Sequence, residues 1–171
     1  MRPARIIAAA GLALALGFCG TGAWTYAQAR GDDSLAYGRE RDAALADGRR
    51  AIVVLTTLDA SSKERARAGI RAWQAESTGP LRDELGRTEA ATGPSARGTV
   101  TDAAVTALDT RAGTAKLIAA VRVEVTPGGT KAPSTDRKRL EAVLARTGAG
   151  EWKVQALNAV PLTRTAEEDD G

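Results

Sequence analysis

The stretch LIAAVRVEV, residues 117–125, decides the fold class of this chain. Apolar side chains fall at every second position from Leu117 onward, and the positions between them carry charge at Arg122 and Glu124. A period of two is the pattern of a β-strand with one buried face, because successive side chains point to opposite sides of a sheet. The stretch therefore predicts a half-buried strand, with Leu117 on the face that packs into the core or lines a pocket.

Three more strands are predicted around this one. Residues 99–109 form the preceding strand, whose inward row is either that of Val105 and Ala107 or that of Leu108. Residues 140–144 alternate after a loop rich in Pro and Gly, and a last strand follows a Gly-containing turn. The last strand is predicted to point one row inward: Trp152, Val154 and Ala156.

Helical periods precede these strands. Residues 34–58 repeat apolar side chains at steps of three and four, with Ser34 as the N-cap. Ser61 and Ser62 begin a second helix, in which Ser61 and Glu64 have the capping-box spacing, and Pro80 suits the first turn of a short third one. Three helices followed by four antiparallel strands predict an α+β fold in which the helices cover one face of the sheet.

The N-terminal part carries an apolar segment. Residues 6–26 have no charge, and Arg2 and Arg5 precede them. Roughly 20 mostly apolar residues suffice to cross the ~30 Å hydrocarbon layer as a helix. Basic residues mark the cytoplasmic flank of a span, and aromatic residues mark its interfaces. We therefore predict a single-pass anchor with a cytoplasmic N-terminus, and with Trp24 and Tyr26 at the membrane–water interface on the far side.

Two other interpretations of this segment stay open. Residues 27–29, Ala-Gln-Ala, have the form of a signal-peptidase site, so the segment could be a cleaved signal peptide. Alternatively, Cys19 could carry a lipid. All three interpretations place the rest of the chain outside the cytoplasm. We expect four regions: a short tail with the anchor (1–29), a stalk and first helix (30–60), the remainder of an outer domain (61–162) and a disordered acidic tail (163–171).

Composition limits the chemistry of the outer part. The chain has no histidine, and its single cysteine is Cys19, so the commonest general base and a thiolate nucleophile are both missing there. The formal charge of +3 includes Arg2 and Arg5, which leaves the remainder nearly balanced and gives no electrostatic case for binding nucleic acid. We predict a protein that is not an enzyme and that holds no cofactor and no metal.

A few side chains are candidates for a site. Trp73 and Trp152 belong either to the core or to the mouth of a pocket, and the core is the interpretation we favour. Asp102 is the strand carboxylate that an acid–base enzyme would need to point into the domain. The basic side chains of the second helix favour a solvated face, with a membrane or a partner as the alternative: Lys63, Arg65, Arg67 and Arg71.

Three short motifs carry a resemblance to a known family. The first helix ends in AIVVLTTLD at residues 51–59, the third begins in TGPLRDEL at residues 78–85, and the last strand opens with GEWKV at residues 150–154. In this order, after a single apolar segment, they resemble the Mce-associated membrane proteins of actinobacteria. The resemblance covers nearly the whole chain, although only residues 1–5 precede the apolar segment here.

The resemblance implies a function as well as a fold. Its family is linked to mammalian-cell-entry (Mce) lipid import, so we expect a membrane-anchored accessory or scaffold protein whose outer domain binds protein partners, Mce import subunits among them. It also implies a cone-shaped domain with a strongly curved sheet, as in nuclear transport factor two and cystatin-like domains. The alternatives are a cone that binds a small hydrophobic ligand and, less favoured, a secreted isomerase-like enzyme.

Overall fold

The structure, a computed structural model, describes residues 33–128 and 132–161. The chain divides into two units, residues 1–40 and 41–171, and of the first unit only the beginning of a helix belongs to the described part. None of the described helices combines the length and the apolar composition that crossing a membrane requires.

Several predictions fall on residues outside the described part. These are the anchor at residues 6–26, its interface residues Trp24 and Tyr26, the lipid-modified Cys19 and the disordered tail at residues 163–171. They stay predictions.

The described part contains three helices followed by four strands. Their bounds are α1 Asp33–Leu55, α2 Lys63–Ala75, α3 Gly79–Arg87, β1 Ser95–Asp109, β2 Thr114–Thr126, β3 Ser134–Arg146 and β4 Trp152–Val160. The strands form one antiparallel sheet in the order β1-β2-β3-β4, so each strand lies beside the one that precedes it in the chain. The predicted α+β class, with three helices and a four-stranded antiparallel sheet, is confirmed.

The predicted alternation in β2 lies at the centre of the core. Leu117 is fully buried, whereas Arg122 and Glu124 on the opposite face are exposed. Gly48 lets α1 approach this strand closely, because a Cβ at that position would stand 2.9 Å from the Leu117 Cδ1 atom. Both layers contribute the remaining core side chains: Ala44, Ala51, Ile52, Ala115, Ala119, Val121, Val123, Leu140, Ala142, Leu144, Trp152 and Val154.

A bulge in β1 decides which of its side chains point inward. The pairing of β1 with β2 shifts by one residue in two places, the second at Thr106. Val105 pairs with buried Leu117 before this bulge, and Leu108 pairs with buried Ala115 after it. Val105 points inward as one alternative predicted, and Leu108 as the other predicted, because one extra residue reverses the alternation. The prediction of an inward Ala107 is wrong, since Ala107 is exposed.

A bulge in β4 moves the inward row of that strand. The pairing with β3 shifts at Gln155, so Ala156 pairs with Val143 and Leu157 pairs with the buried Ala142. The prediction that Ala156 shares the inward face with Trp152 is wrong. Leu157 packs against the core instead, because the extra residue at the bulge exchanges the two faces from that point onward.

The helix α2 begins one residue later than the capping-box spacing suggests. Ser62 is the N-cap, and its hydroxyl oxygen accepts a hydrogen bond from the Arg65 N–H at 3.3 Å. Ser61 instead donates its hydroxyl proton to the Asp59 carboxylate. Of the two serines predicted to begin this helix, Ser62 is the N-cap, and the capping-box role of Ser61 is wrong because its hydroxyl donates to a nearby carboxylate.

The residues that follow α1 pair with the start of β1. Leu58 and Ala96 exchange two backbone hydrogen bonds of 2.8 Å. The Thr57 hydroxyl oxygen accepts another from the Gly98 N–H at 3.1 Å. The first helix therefore ends at Leu55 rather than at residue 58, since the residues beyond it adopt strand-like pairing.

Candidate functional site

An apolar groove opens to solvent between the end of α1 and one side of α2. Its walls are formed mainly by Val53, Val54, Leu58, Ala68 and Ala72, and we call these residues the helix groove. The groove has a volume of about 470 Å³. Val53 is 37% exposed although it is a large aliphatic residue. The groove is therefore a candidate place for another molecule to make contact.

The local sequence explains why this surface is open. Residues 52–55 of α1 are Ile-Val-Val-Leu, and at about 100° per residue such a run cannot point all its side chains toward the sheet. Ile52 is fully buried, and Val53 points away from the core. On α2, Ala68 and Ala72 lie one turn apart, and their short side chains leave the space between the two helices unfilled.

The two walls of the groove are fixed against each other. The Trp73 indole N–H donates to the carbonyl oxygens of Val54, at 2.8 Å, and Thr57, at 2.9 Å. Gly69 lies against Leu58, and a Cβ at Gly69 would stand 2.5 Å from the Leu58 Cδ1 atom. These contacts hold α2 close to the end of α1, so the groove is formed before any partner binds.

One end of the groove carries a charged pair. The Arg65 Nη1 atom lies 3.2 Å from the Asp59 Oδ2 atom. The Ser61 hydroxyl and the Ser61 backbone N–H both donate to the Asp59 carboxylate, and these bonds, with the Arg65 charge, hold the pKa of Asp59 below its ordinary value. Asp59 is therefore ionised at neutral pH. The groove thus combines an apolar floor with one ion pair at its end, and protein–protein interfaces typically have an apolar centre and a polar edge.

Trp73, Trp152 and Leu117 contribute to packing and to hydrogen bonds within the domain. Trp152 is 1% exposed and Leu117 is 0% exposed, and both belong to one core cluster. The Trp152 backbone N–H donates to the Asp47 carboxylate at 3.0 Å, which ties the start of β4 to α1. Trp73 is half-buried and makes the two hydrogen bonds described above. Side chains thus occupy the places where a ligand inside the domain would have to lie.

Asp102 lies on the outer face of the sheet, away from the helices. It is exposed, and its Oδ1 atom accepts a hydrogen bond from the Ala103 N–H at 2.8 Å. It lines a shallow depression of about 320 Å³ together with Ile118 and Arg139. Its carboxylate therefore does not point into the domain, as the isomerase-like alternative requires. In residues 33–128 and 132–161, His, Cys, Asp and Glu side chains form no group of three or more that could hold a metal ion.

The sequence interpretation did not single out the helix groove. It assigned Val53 to the periodic apolar row of α1 and Arg65 to a solvated face, and the structure places both residues at the groove. Two signals together could have found it. One is the run of four apolar residues at 52–55, which is too wide for a single face, and the other is the pair Ala68 and Ala72 at one-turn spacing.

Comparison with known proteins gives a likeness in fold. Neither a protein family nor a curated protein matches the chain. CagV from Helicobacter pylori, described as a VirB8 homologue of the T4SS, superposes with a TM-score of 0.53 at 10% sequence identity, over 71% of this chain and 98% of CagV. At this identity the likeness is one of fold alone.

Two further structures superpose more loosely. An Ntf2-like protein involved in plasmid conjugation reaches a TM-score of 0.48 at 11% identity, over 73% of this chain and 50% of that one. An IcmL-like type IV secretion system protein from Legionella pneumophila reaches 0.47 at 10% identity, over 72% of this chain and 94% of that one. Likenesses at this level carry no argument about this chain, and the resemblance to the Mce-associated family stays a prediction.

Proposed function

We propose that this chain is a non-enzymatic accessory protein of the cell membrane and that its extracytoplasmic domain binds other proteins at the helix groove. Residues 6–26 would anchor it, with the N-terminus in the cytoplasm. One observation carries the proposal: an exposed apolar groove with a charged pair at one end lies between two helices that are fixed against each other. A preformed apolar pocket that takes up a few partner side chains is the usual centre of binding energy in a protein interface.

The proposed partners are the substrate-binding subunits of an Mce-type lipid-import system. The motif resemblance supports this choice, and its first motif, residues 51–59, reaches the groove, because Thr57, Leu58 and Asp59 all line it. The likeness in fold to CagV, which is named for a secretion system, supports the broader expectation that such a domain works within a multi-component system.

Two other functions are less well supported. A small hydrophobic ligand inside the domain would compete for space with Trp152 and Leu117, which are buried. An isomerase-like enzyme would need the Asp102 carboxylate to face inward, and that side chain is exposed on the outer face. Protein binding is the function that the described geometry supports best.

The substitution Ala68→Glu tests the groove in the full 171-residue chain. Ala68 is exposed on the groove wall, so the change places a charge over the apolar floor and leaves the core as it is. We expect the chain, captured from detergent extracts of cells that express the import system, to recover its substrate-binding subunits at least ~10-fold less well, which corresponds to about 1.4 kcal/mol.

The matched control is Ala120→Glu. Ala120 is also exposed, but it lies on the outer face of the sheet, so the same change should leave recovery of the subunits unaltered. Binding at the groove would be contradicted if both variants lost the subunits equally. It would also be contradicted if Ala68→Glu recovered them as well as the unaltered chain. If the unaltered chain recovers no import subunit, the proposed partner is wrong.

A further inference from the structure

One edge of the sheet is open along most of its length. β1 is the first strand of the sheet and pairs with β2 on one side only. On its other side, Leu58 pairs with Ala96, and the Thr57 hydroxyl oxygen accepts a hydrogen bond from the Gly98 N–H. Among the described residues, none forms a β-bridge with this side of β1 beyond Ala96. We call residues 99–108 on this side the free edge.

The composition of the free edge favours pairing with another strand. Residues 99–108 are Thr-Val-Thr-Asp-Ala-Ala-Val-Thr-Ala-Leu, with no proline, glycine or lysine among them. β-Branched residues favour strands, and an unpaired edge with few charges is a template for another strand. A second copy of the chain brings the same edge, and two identical edges can pair across a twofold axis. Asp102 is the single charged residue in this stretch.

Asp102 occupies one of the hydrogen-bond donors of the free edge. In an antiparallel pair every second residue directs its backbone groups away from the neighbouring strand, as Ala96 and Gly98 do in β1. The bulge at Thr101 adds one residue, so Ala103 also directs its N–H away from β2. This N–H donates to the Asp102 Oδ1 atom at 2.8 Å. A second strand would have to displace the carboxylate, and covering a carboxylate without a partner costs free energy.

The two bulges of β1 leave one regular section on the free edge. The pairing with β2 shifts at Thr101 and at Thr106, whose hydroxyls donate back to carbonyl oxygens of β2 at 3.1 Å and 3.4 Å. Between the bulges, residues 102–105 pair with β2 without interruption. Asp102 begins this section, so the carboxylate lies where a second strand could add most regularly.

The other open edges of the sheet are protected by different means. At β4, the Thr78 N–H donates to the Val154 carbonyl oxygen at 2.9 Å, so the segment before α3 covers the beginning of that strand. β4 pairs with β3 only from Arg139 onward, and the three residues before it in β3, residues 136–138, are all charged. Charged side chains along an edge oppose pairing. On the free edge of β1, Asp102 is the residue that supplies such a charge.

We propose that Asp102 keeps the free edge from pairing with a second copy of this chain. Its carboxylate caps the Ala103 N–H and places a negative charge where a carbonyl oxygen of the second strand would have to lie. This role goes beyond the proposed function, because it concerns an edge of the sheet and does not depend on any partner at the helix groove.

Hydrogen–deuterium exchange tests the proposal in the full chain in detergent, with mass spectrometry at two protein concentrations that differ tenfold. In the unaltered chain, exchange in residues 99–108 should not depend on the concentration. With Asp102→Ala, exchange there should become about threefold slower at the higher concentration. The reason is mass action, since the unpaired fraction of a dimerising protein falls with roughly the square root of its concentration.

Two further variants separate the charge on the free edge from other effects. Asp136→Ala removes the same charge from β3, where charged neighbours remain, and should leave exchange in residues 99–108 independent of concentration. Ala104→Lys, added to Asp102→Ala, returns a charge to an exposed position of the free edge and should abolish the concentration dependence. Exchange around buried Leu117 in β2 should stay slow throughout, because the altered side chains are exposed.

Four results would overturn the proposal. Exchange in residues 99–108 might already depend on concentration in the unaltered chain, or it might stay independent of concentration with Asp102→Ala. The other two are an equal effect of Asp136→Ala and a concentration dependence that persists when Ala104→Lys is added. Either of these would show that the charge of Asp102 does not keep the free edge unpaired.

Discussion

Gly98 allows the end of the first helix to lie close to the first strand of the sheet. A Cβ at this position would overlap the Thr56 hydroxyl and stand 3.2 Å from the Thr56 carbonyl oxygen, so the backbone itself would have to move. The Gly98 N–H also donates to Thr57, which lines the helix groove. A single hydrogen in place of a methyl group thus lets the end of α1 lie against β1 and form one wall of the groove.

We predict that Gly98→Ala lowers the free energy of unfolding by about 1–3 kcal/mol, because overpacking forces backbone shifts. Gly86→Ala is the control, since a Cβ there meets no atom within 4 Å and the residue lies in a helix. It should raise the free energy of unfolding by about 0.4–1 kcal/mol, through the lower entropy of the unfolded chain. Urea unfolding of both variants measures their free energies of unfolding. An equal change in the two variants would contradict the close approach at Gly98.

At the scale of elements, the outer face of the sheet contains a pair of like charges. Arg122 of β2 lies directly opposite Arg137 of β3. One row away, Arg97 of β1 lies opposite Glu124 of β2, which is an attractive pair. Like charges directly opposite in antiparallel strands are destabilising, and opposite charges are stabilising. The sheet therefore holds one unfavourable and one favourable pair in comparable exposed positions.

We predict that Arg137→Glu raises the free energy of unfolding by about 0.2–1 kcal/mol at low salt, because it turns the like-charge pair into an attractive one. Arg97→Glu is the matched reversal and should lower the stability by a similar amount, since it places two acids opposite each other. Guanidinium chloride is itself a salt, so urea unfolding is the suitable measurement. A stability that falls in both variants would contradict the observed register.

The elements also show how far the sequence determines the fold. The strict alternation in β2 predicted a half-buried strand, and the motif around Trp152 predicted the start of β4. The bulges at Thr106 and Gln155 were not predictable, because neither residue carries a local signal and each bulge depends on the pairing with its neighbour. The early end of α1 has the same cause, since pairing of Leu58 with Ala96 competes with the helix.

Residue types alone do not decide which side chains of the apolar run at residues 52–55 face the helix groove. Val53 and Ile52 are both large aliphatic residues. Val53 is exposed and Ile52 is buried because of the orientation of α1 on the sheet. Asp102 illustrates the opposite case, because its residue type suggested chemistry and its place in the sheet leaves it facing solvent. Position relative to the layers therefore decides which candidate residues form a site.

At the scale of the whole domain, α2 separates two surfaces of different chemistry. The helix groove on one side is apolar, and a second groove on the other side is lined by Lys63, Arg67 and Arg71. The sheet behind them is packed with side chains of the core. In this account the sheet is a support for the helices, and the helices present the binding surfaces.

Site-specific photo-crosslinking in intact cells tests the central claim most directly. A benzophenone side chain at Val53 would lie in the helix groove, and the same group at Ala120 would lie on the outer face of the sheet. In cells that express the import system, the account predicts a covalent adduct between the Val53 variant and a substrate-binding subunit, and none with the Ala120 variant. Adducts of equal yield at both positions, or at Ala120 alone, would contradict binding at the helix groove.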